Sequence, residues 1–167
     1  MATGFLLQAS AAIEGFVEER CRKAAKVAIE RAKKSQPTRA GYALVVWHVL
    51  RKMERAIPLT AAEVPKEIDF LDKVYKDYER LTNKSHGING GDLRGLLIPL
   101  GLRDAELNGQ LFDHLDSLSE ARNPASHNKI NRAKAMSDPI FEWHRVSPML
   151  PLFESLDVAI EMAVSGA

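Results

Sequence analysis

Between Phe5 and Lys34 the chain runs without a proline, and its apolar positions Ile13, Phe16, Val17, Ala24, Val27 and Ala28 recur at steps of three and four. That period puts them on one side of a helix, whereas a strand would alternate at every second residue. A helix of this length spans roughly 45 Å at 1.5 Å per residue. Its apolar stripe needs several other elements to cover it, which commits the chain to helix-on-helix packing. The second half, "ERCRKAAKVAIERAKK", carries Arg20, Arg22, Lys23, Lys26, Arg31, Lys33 and Lys34. This basic flank reads first as a solvated face.

The remaining chain repeats the pattern. After "SQPTR", the stretch "RAGYALVVWHVLRKMERAI" is apolar on nearly every side in its middle and predicts a central buried helix, closed by Pro58. A third helix is expected from Pro65 to Thr82, with Ile68, Leu71, Val74, Tyr75 and Tyr78 facing inward. "NKSHGINGGD" has the composition of a loop. Asp92 is then expected to cap the brief segment "LRGLLIPLGL", and Asp104 to open the helix "AELNGQLFDHLDSLSEAR". A polar loop, "NKINRAKAMSDP", follows. Ser147 before Pro148 predicts the cap of a last helix through "MLPLFESLDVAIEMAV". With no long period-two alternation and no repeats, the fold class is all-α: one domain over residues 1–167, a bundle of four to five helices with long connections.

Composition narrows the function. Lysine and arginine number 23 against 22 acids, so a net charge of +1 supplies no global field toward nucleic acid or membrane, and any such surface is a local patch. The single cysteine, Cys21, excludes an internal disulfide framework and a cysteine zinc cluster. It suits a reducing compartment, and a cytoplasmic protein is expected. The N-terminal stretch reads poorly as a signal peptide, and no apolar run approaches the roughly 18 residues of a membrane span.

The informative anomaly is "LSEARNPASHNK". Leu111, Leu115 and Leu118 step by four and three, and Arg122 is the next member of the series, about 20° from Leu111 around the helix axis. A guanidinium thus occupies a position patterned for a core leucine. It requires a cleft, an interface or an anionic partner there. Pro124 cannot donate to the carbonyl of Glu120 and disfavours helical geometry at Asn123, so the helix is expected to stop or kink. In a straight helix, residues five apart diverge by about 140°. A break would swing His127 back toward Arg122, and such a pair suits phosphodiester chemistry: arginine over the phosphate, histidine moving a proton near neutrality. One pair is short of an acid, and a symmetric dimer would supply the second histidine. The plainer alternative is an arginine snorkelling at a helix end and a histidine satisfied by a loop carbonyl.

Arg122-Asn123-Pro124-Ala125-Ser126-His127 resembles the R-N-x-x-x-H signature of the HEPN superfamily of ribonucleases. "LLQASAAIEGFVEE" at 6–19 is similar to the first helix of stand-alone bacterial members related to the RiboL-PSP-HEPN group. "INGGDLRGLLIPLGL" at 88–102 and "LDSLSEARNPASHN" at 115–128 resemble the segments that follow in the same order. Together they cover roughly a quarter of the chain. The resemblance implies a HEPN-like bundle and a metal-independent endoribonuclease acting in phage defence, a toxin-antitoxin pair or RNA processing. It also implies a homodimer with both motifs at the interface, Arg122 and His127 as the catalytic pair, Asn123 as polar helper, and an antitoxin or other regulatory partner. Members silenced by a nucleotidyltransferase typically carry a tyrosine just after the histidine; Asn128 stands there instead.

Other residues are placed by their surroundings. Lys129 and Arg132, just past the motif, are positioned to touch an RNA backbone, with solvated loop charges as the alternative. Glu14, near an apolar stripe, reads first as a surface carboxylate, with contact to Arg122 across the bundle as the alternative. His48, in "VVWHVL", reads as a satisfied core or interface histidine. His86 is a loop residue; His114 and His144 lack partners at metal-ligand spacing, so neither metal nor cofactor is expected. Against the nuclease stand two other classes: a catalytically inactive module of the same fold binding RNA, a nucleotide or a protein partner, and an interaction subunit needing no anion site.

Overall fold

The computed structural model describes residues 2–54, 67–84, 87, 89–127 and 139–165, and within them the side chains of 4–54, 69–84, 87, 89–122 and 140–165. All regular structure among the described residues is helical: α1 (Ala2–Lys33), α2 (Arg39–Glu54), α3 (Glu67–Thr82), α4 (Gly90–Leu97), α5 (Gly109–His127), α6 (Pro139–Val146) and α7 (Leu150–Ser165), with short 3-10 turns between. None of these helices is long and apolar enough to cross a membrane. The five longer helices follow the expected order, and α6 lies where no helix was expected.

The central element is α1, not α2. It packs against α2, α3, α5 and α7. Cys21, Ala25 and Ala28 are fully buried in it, beside Val17, Ala24 and Ile29. Small side chains along one stripe let neighbouring helices approach closely, which a row of leucines would prevent. Its basic flank is largely paired. Arg20 bonds Asp157 and, at 2.8 Å, Glu161 on α7; Arg22 donates to Asn83, and Lys33 meets Asp72 at 2.7 Å.

α2 corrects the sequence reading. Ala40, Leu44 and His48 are buried, but Tyr42, Val46, Leu50 and Met53 form an exposed apolar row on another side. Composition alone cannot tell a helix surrounded by protein from one apolar on both a covered and an open side. α3 follows its period: Leu71, Val74 and Tyr78 turn inward, and the Tyr78 hydroxyl donates to the Leu96 carbonyl at 2.8 Å.

Three expected helix starts differ. α4 is capped by Asn89, whose side chain accepts from the Asp92 amide at 2.9 Å, so Asp92 lies inside the first turn. Asp104 opens only a 3-10 turn through Glu106; α5 begins at Gly109, where Asn108 accepts from the Gln110 amide at 2.9 Å. Ser147 makes no cap. It begins a 3-10 turn with Pro148 that joins α6 to α7 directly. Gly101, at φ 78°, turns the chain after α4 in the left-handed region that suits glycine.

Candidate functional site

Leu111, Leu115 and Leu118 of α5 are buried, and Arg122 continues the same stripe with its side chain 24% exposed. The position reserved for a fourth core leucine therefore lies at the margin of the core. Arg122 Nη1 is 3.9 Å from Glu14 Oε2 on α1. The other oxygen of Glu14 accepts from the Gly87 amide at 2.9 Å. Glu14 thus ties the centre of α1 to the turn before α4 while offering its charge to the arginine. Of its two readings from the sequence, contact across the bundle is the one found.

The same turn reaches α5 a second time. Gly90 donates its amide to Asp116 Oδ1 at 2.7 Å, and a Cβ on Gly90 would stand 3.0 Å from that of Phe112. A side chain there would require Phe112 to give by a few tenths of an ångström, so glycine suits the close approach of α4 to α5. Arg94 covers the Phe112 ring at 4.0 Å. The three stretches that carry the resemblance are brought together: Glu14 from the first, Asn89 and Gly90 from the second, Asp116 and Arg122 from the third. The sequence reading missed Asp116 and Gly87; the cluster "GINGGD" signalled a turn but not which helix would hold it.

The helix break is corrected. α5 continues through Asn123 and Pro124 to His127. A proline removes one intrahelical hydrogen bond, to the Glu120 carbonyl, and near a helix end that loss does not stop the final turn. On a continuous helix, backbone positions 122 and 127 stand about 140° apart around the axis. The two residues are not turned to one side by a break of the backbone. The side chains of Asn123 and His127, and all of Lys129 and Arg132, lie outside the described residues.

His48 is buried as expected, 1% exposed, with Nδ1 3.0 Å from Asp77 Oδ2 and its ring edge-on to Phe70. Asp77 is thus the close partner of Nδ1, while Nε2 has no hydrogen bond among the described residues. The histidine is in the core, as expected, with Asp77 as its partner. Burial first, then the charge of Lys52, pushes its pKa below the usual imidazole range and outweighs the pull of Asp77.

Comparison of the chain with family models, with curated proteins and with solved structures finds no match.

Proposed function

We propose that the protein is a metal-independent endoribonuclease of the HEPN kind, cleaving RNA by attack of the 2′-hydroxyl on the adjacent phosphate. The observation that carries this reading is Arg122: a guanidinium in line with three core leucines, partly exposed, facing a carboxylate at 3.9 Å. An ion pair at that separation fixes the arginine without saturating it, because a guanidinium has five donors. A phosphate can then take the remaining donors in a bidentate grip. His127 supplies the proton transfer, as base toward the 2′-hydroxyl or acid toward the leaving 5′-oxygen. Asn123 orients the phosphate or the arginine, and Lys129 and Arg132 hold the flanking backbone.

The continuity of α5 bears on how the pair meets. With both residues on one regular helix, the arginine and histidine acting on one phosphate come from two copies across a two-fold interface. Cleavage per protomer then rises with protein concentration as the dimer forms. We place the enzyme in the cytoplasm, in phage defence, a toxin-antitoxin pair or RNA processing, with an antitoxin or other regulatory partner in the second case.

The test is incubation of the full chain with single-stranded RNA in the presence of EDTA. Wild type yields fragments ending in 2′,3′-cyclic phosphate, while Arg122→Ala and His127→Ala leave the RNA intact with unchanged helical circular dichroism. Cleavage by His127→Ala at the wild-type rate refutes the reading. The unbroken α5 also favours a second one, an inactive module of the same fold that holds RNA through Arg122. Its signature is Arg122-dependent RNA retention without products over long incubation.

A further inference from the structure

α2 and α3 face each other across a cavity of about 430 Å³. Arg51 and Lys52 of α2 line one side; Lys73, Lys76 and Arg80 of α3, with Lys84 just beyond, line the other. Their spacings, three and four residues along α3, place them in one row along the helix. Among the described residues lining the cavity, one carboxylate stands against these six cations: Asp77, which meets Arg80 at 3.3 Å and His48 at 3.0 Å.

A basic row on a helix is ordinarily a solvated surface, and two observations separate this one from that. The charges surround a concavity, and a volume of 430 Å³ falls within the usual range of small-molecule sites. The cavity is also lined by His48, a side chain 1% exposed whose Nδ1 lies against Asp77 and whose Nε2 makes no hydrogen bond among the described residues. Buried polar groups are normally bonded, and such exceptions concentrate where a ligand or ion completes the set. Arg51 is partly committed, its guanidinium 5.2 Å from the centre of the Trp47 ring, so that stacking holds its head in place.

We infer that this cavity binds a small molecule carrying two or more linked phosphate groups, gripped by Lys73, Lys76 and Arg80 from α3 and by Arg51 and Lys52 from α2. One phosphate would leave most of the cation row uncompensated. Linked phosphates match several cations at once, and their closely spaced charges gain most where like charges are already crowded. The cavity shares no lining residue with the Arg122 group, so the inference stands apart from the nuclease reading. A ligand here, held by α2 and α3 together, fastens the two helices to each other.

The experiment is calorimetric titration of the full chain with inorganic triphosphate and, separately, inorganic monophosphate. Saturable binding of one triphosphate per chain is expected, at least tenfold tighter than monophosphate. In the double variant Lys73→Gln/Lys76→Gln it weakens at least tenfold. Both lysines are exposed and their replacement leaves the core intact, which circular dichroism checks. The inference is overturned if no saturable binding occurs or if the double variant binds like wild type. It is equally overturned if a single-stranded RNA oligonucleotide binds tenfold tighter than triphosphate and loses that advantage in the double variant. That last result makes the row a nucleic-acid track rather than a small-molecule site.

Discussion

Glu14 and Arg122, far apart in the sequence, meet at 3.9 Å, and the same carboxylate accepts from the Gly87 amide at 2.9 Å. One side chain therefore links α1, α5 and the turn before α4. Glu14→Ala removes both interactions and should cost about 1–2 kcal/mol in urea unfolding. A double-mutant cycle with Arg122→Ala isolates the ionic part, expected at about 0.5–1 kcal/mol. Zero coupling would make the approach incidental.

Acid unfolding should report on Glu106. Bonding to Arg39 first, and then to the Arg103 amide and guanidinium, holds its pKa down at about 2, against an ordinary value of 4.5. Because the folded pKa is the lower one, the stabilisation is fully present above pH 4.5 and is lost as the pH falls toward 2. Glu106→Gln should flatten the stability profile in that window and leave its shape at neutral pH unchanged. An identical acid limb in both proteins would remove Glu106 from the account.

Cys21 should be inert in the native protein. It is fully buried, and burial raises its pKa to about 12, so almost no thiolate exists near neutrality. Labelling by a disulfide reagent at pH 8 should proceed at the rate of unfolding and accelerate with denaturant. Rapid stoichiometric labelling of the folded chain contradicts this placement.

Leu118 is the last leucine before Arg122 and is fully buried. Leu118→Ala should lose about 2–5 kcal/mol of stability, the range for an unrelaxed cavity in a core. Exposed Met162, replaced by alanine, should change stability by less than about 0.5 kcal/mol. Equal losses at the two positions would mean that α5 does not pack as described.

Period was the legible part of the chain. Leu71, Val74 and Tyr78, and likewise Leu111, Leu115 and Leu118, are inward where their spacing puts them. What spacing could not rank were rival polar caps. Asn89 and Asp92 are both competent, and helix propensity argues for leaving Gly90 and Gly91 outside a helix. The tertiary structure decides otherwise, because a side chain at Gly90 would crowd Phe112 and Asp116 takes its amide. Pro124 does not end α5, because a proline weighs less in a final turn than inside a helix. Arg122 was legible as an anomaly and Glu14 as one of two readings for its partner, but nothing local ranked that contact above a plain surface carboxylate. The cations of α3 stand in "KVYKDYER", but period marks only the inward row of that helix and does not show that the outward one borders a cavity.

The exposed row Tyr42, Val46, Leu50 and Met53 on α2 has a calorimetric consequence. Heat capacity rises on unfolding because apolar surface becomes hydrated, ordinarily by roughly 2.0–2.5 kcal/mol/K for a chain of 167 residues. Surface that water already covers in the native chain adds nothing to that change. The isolated chain should fall below the range, with a flatter dependence of stability on temperature. Any association that covers the row restores the missing increment, and the heat capacity of unfolding then depends on protein concentration.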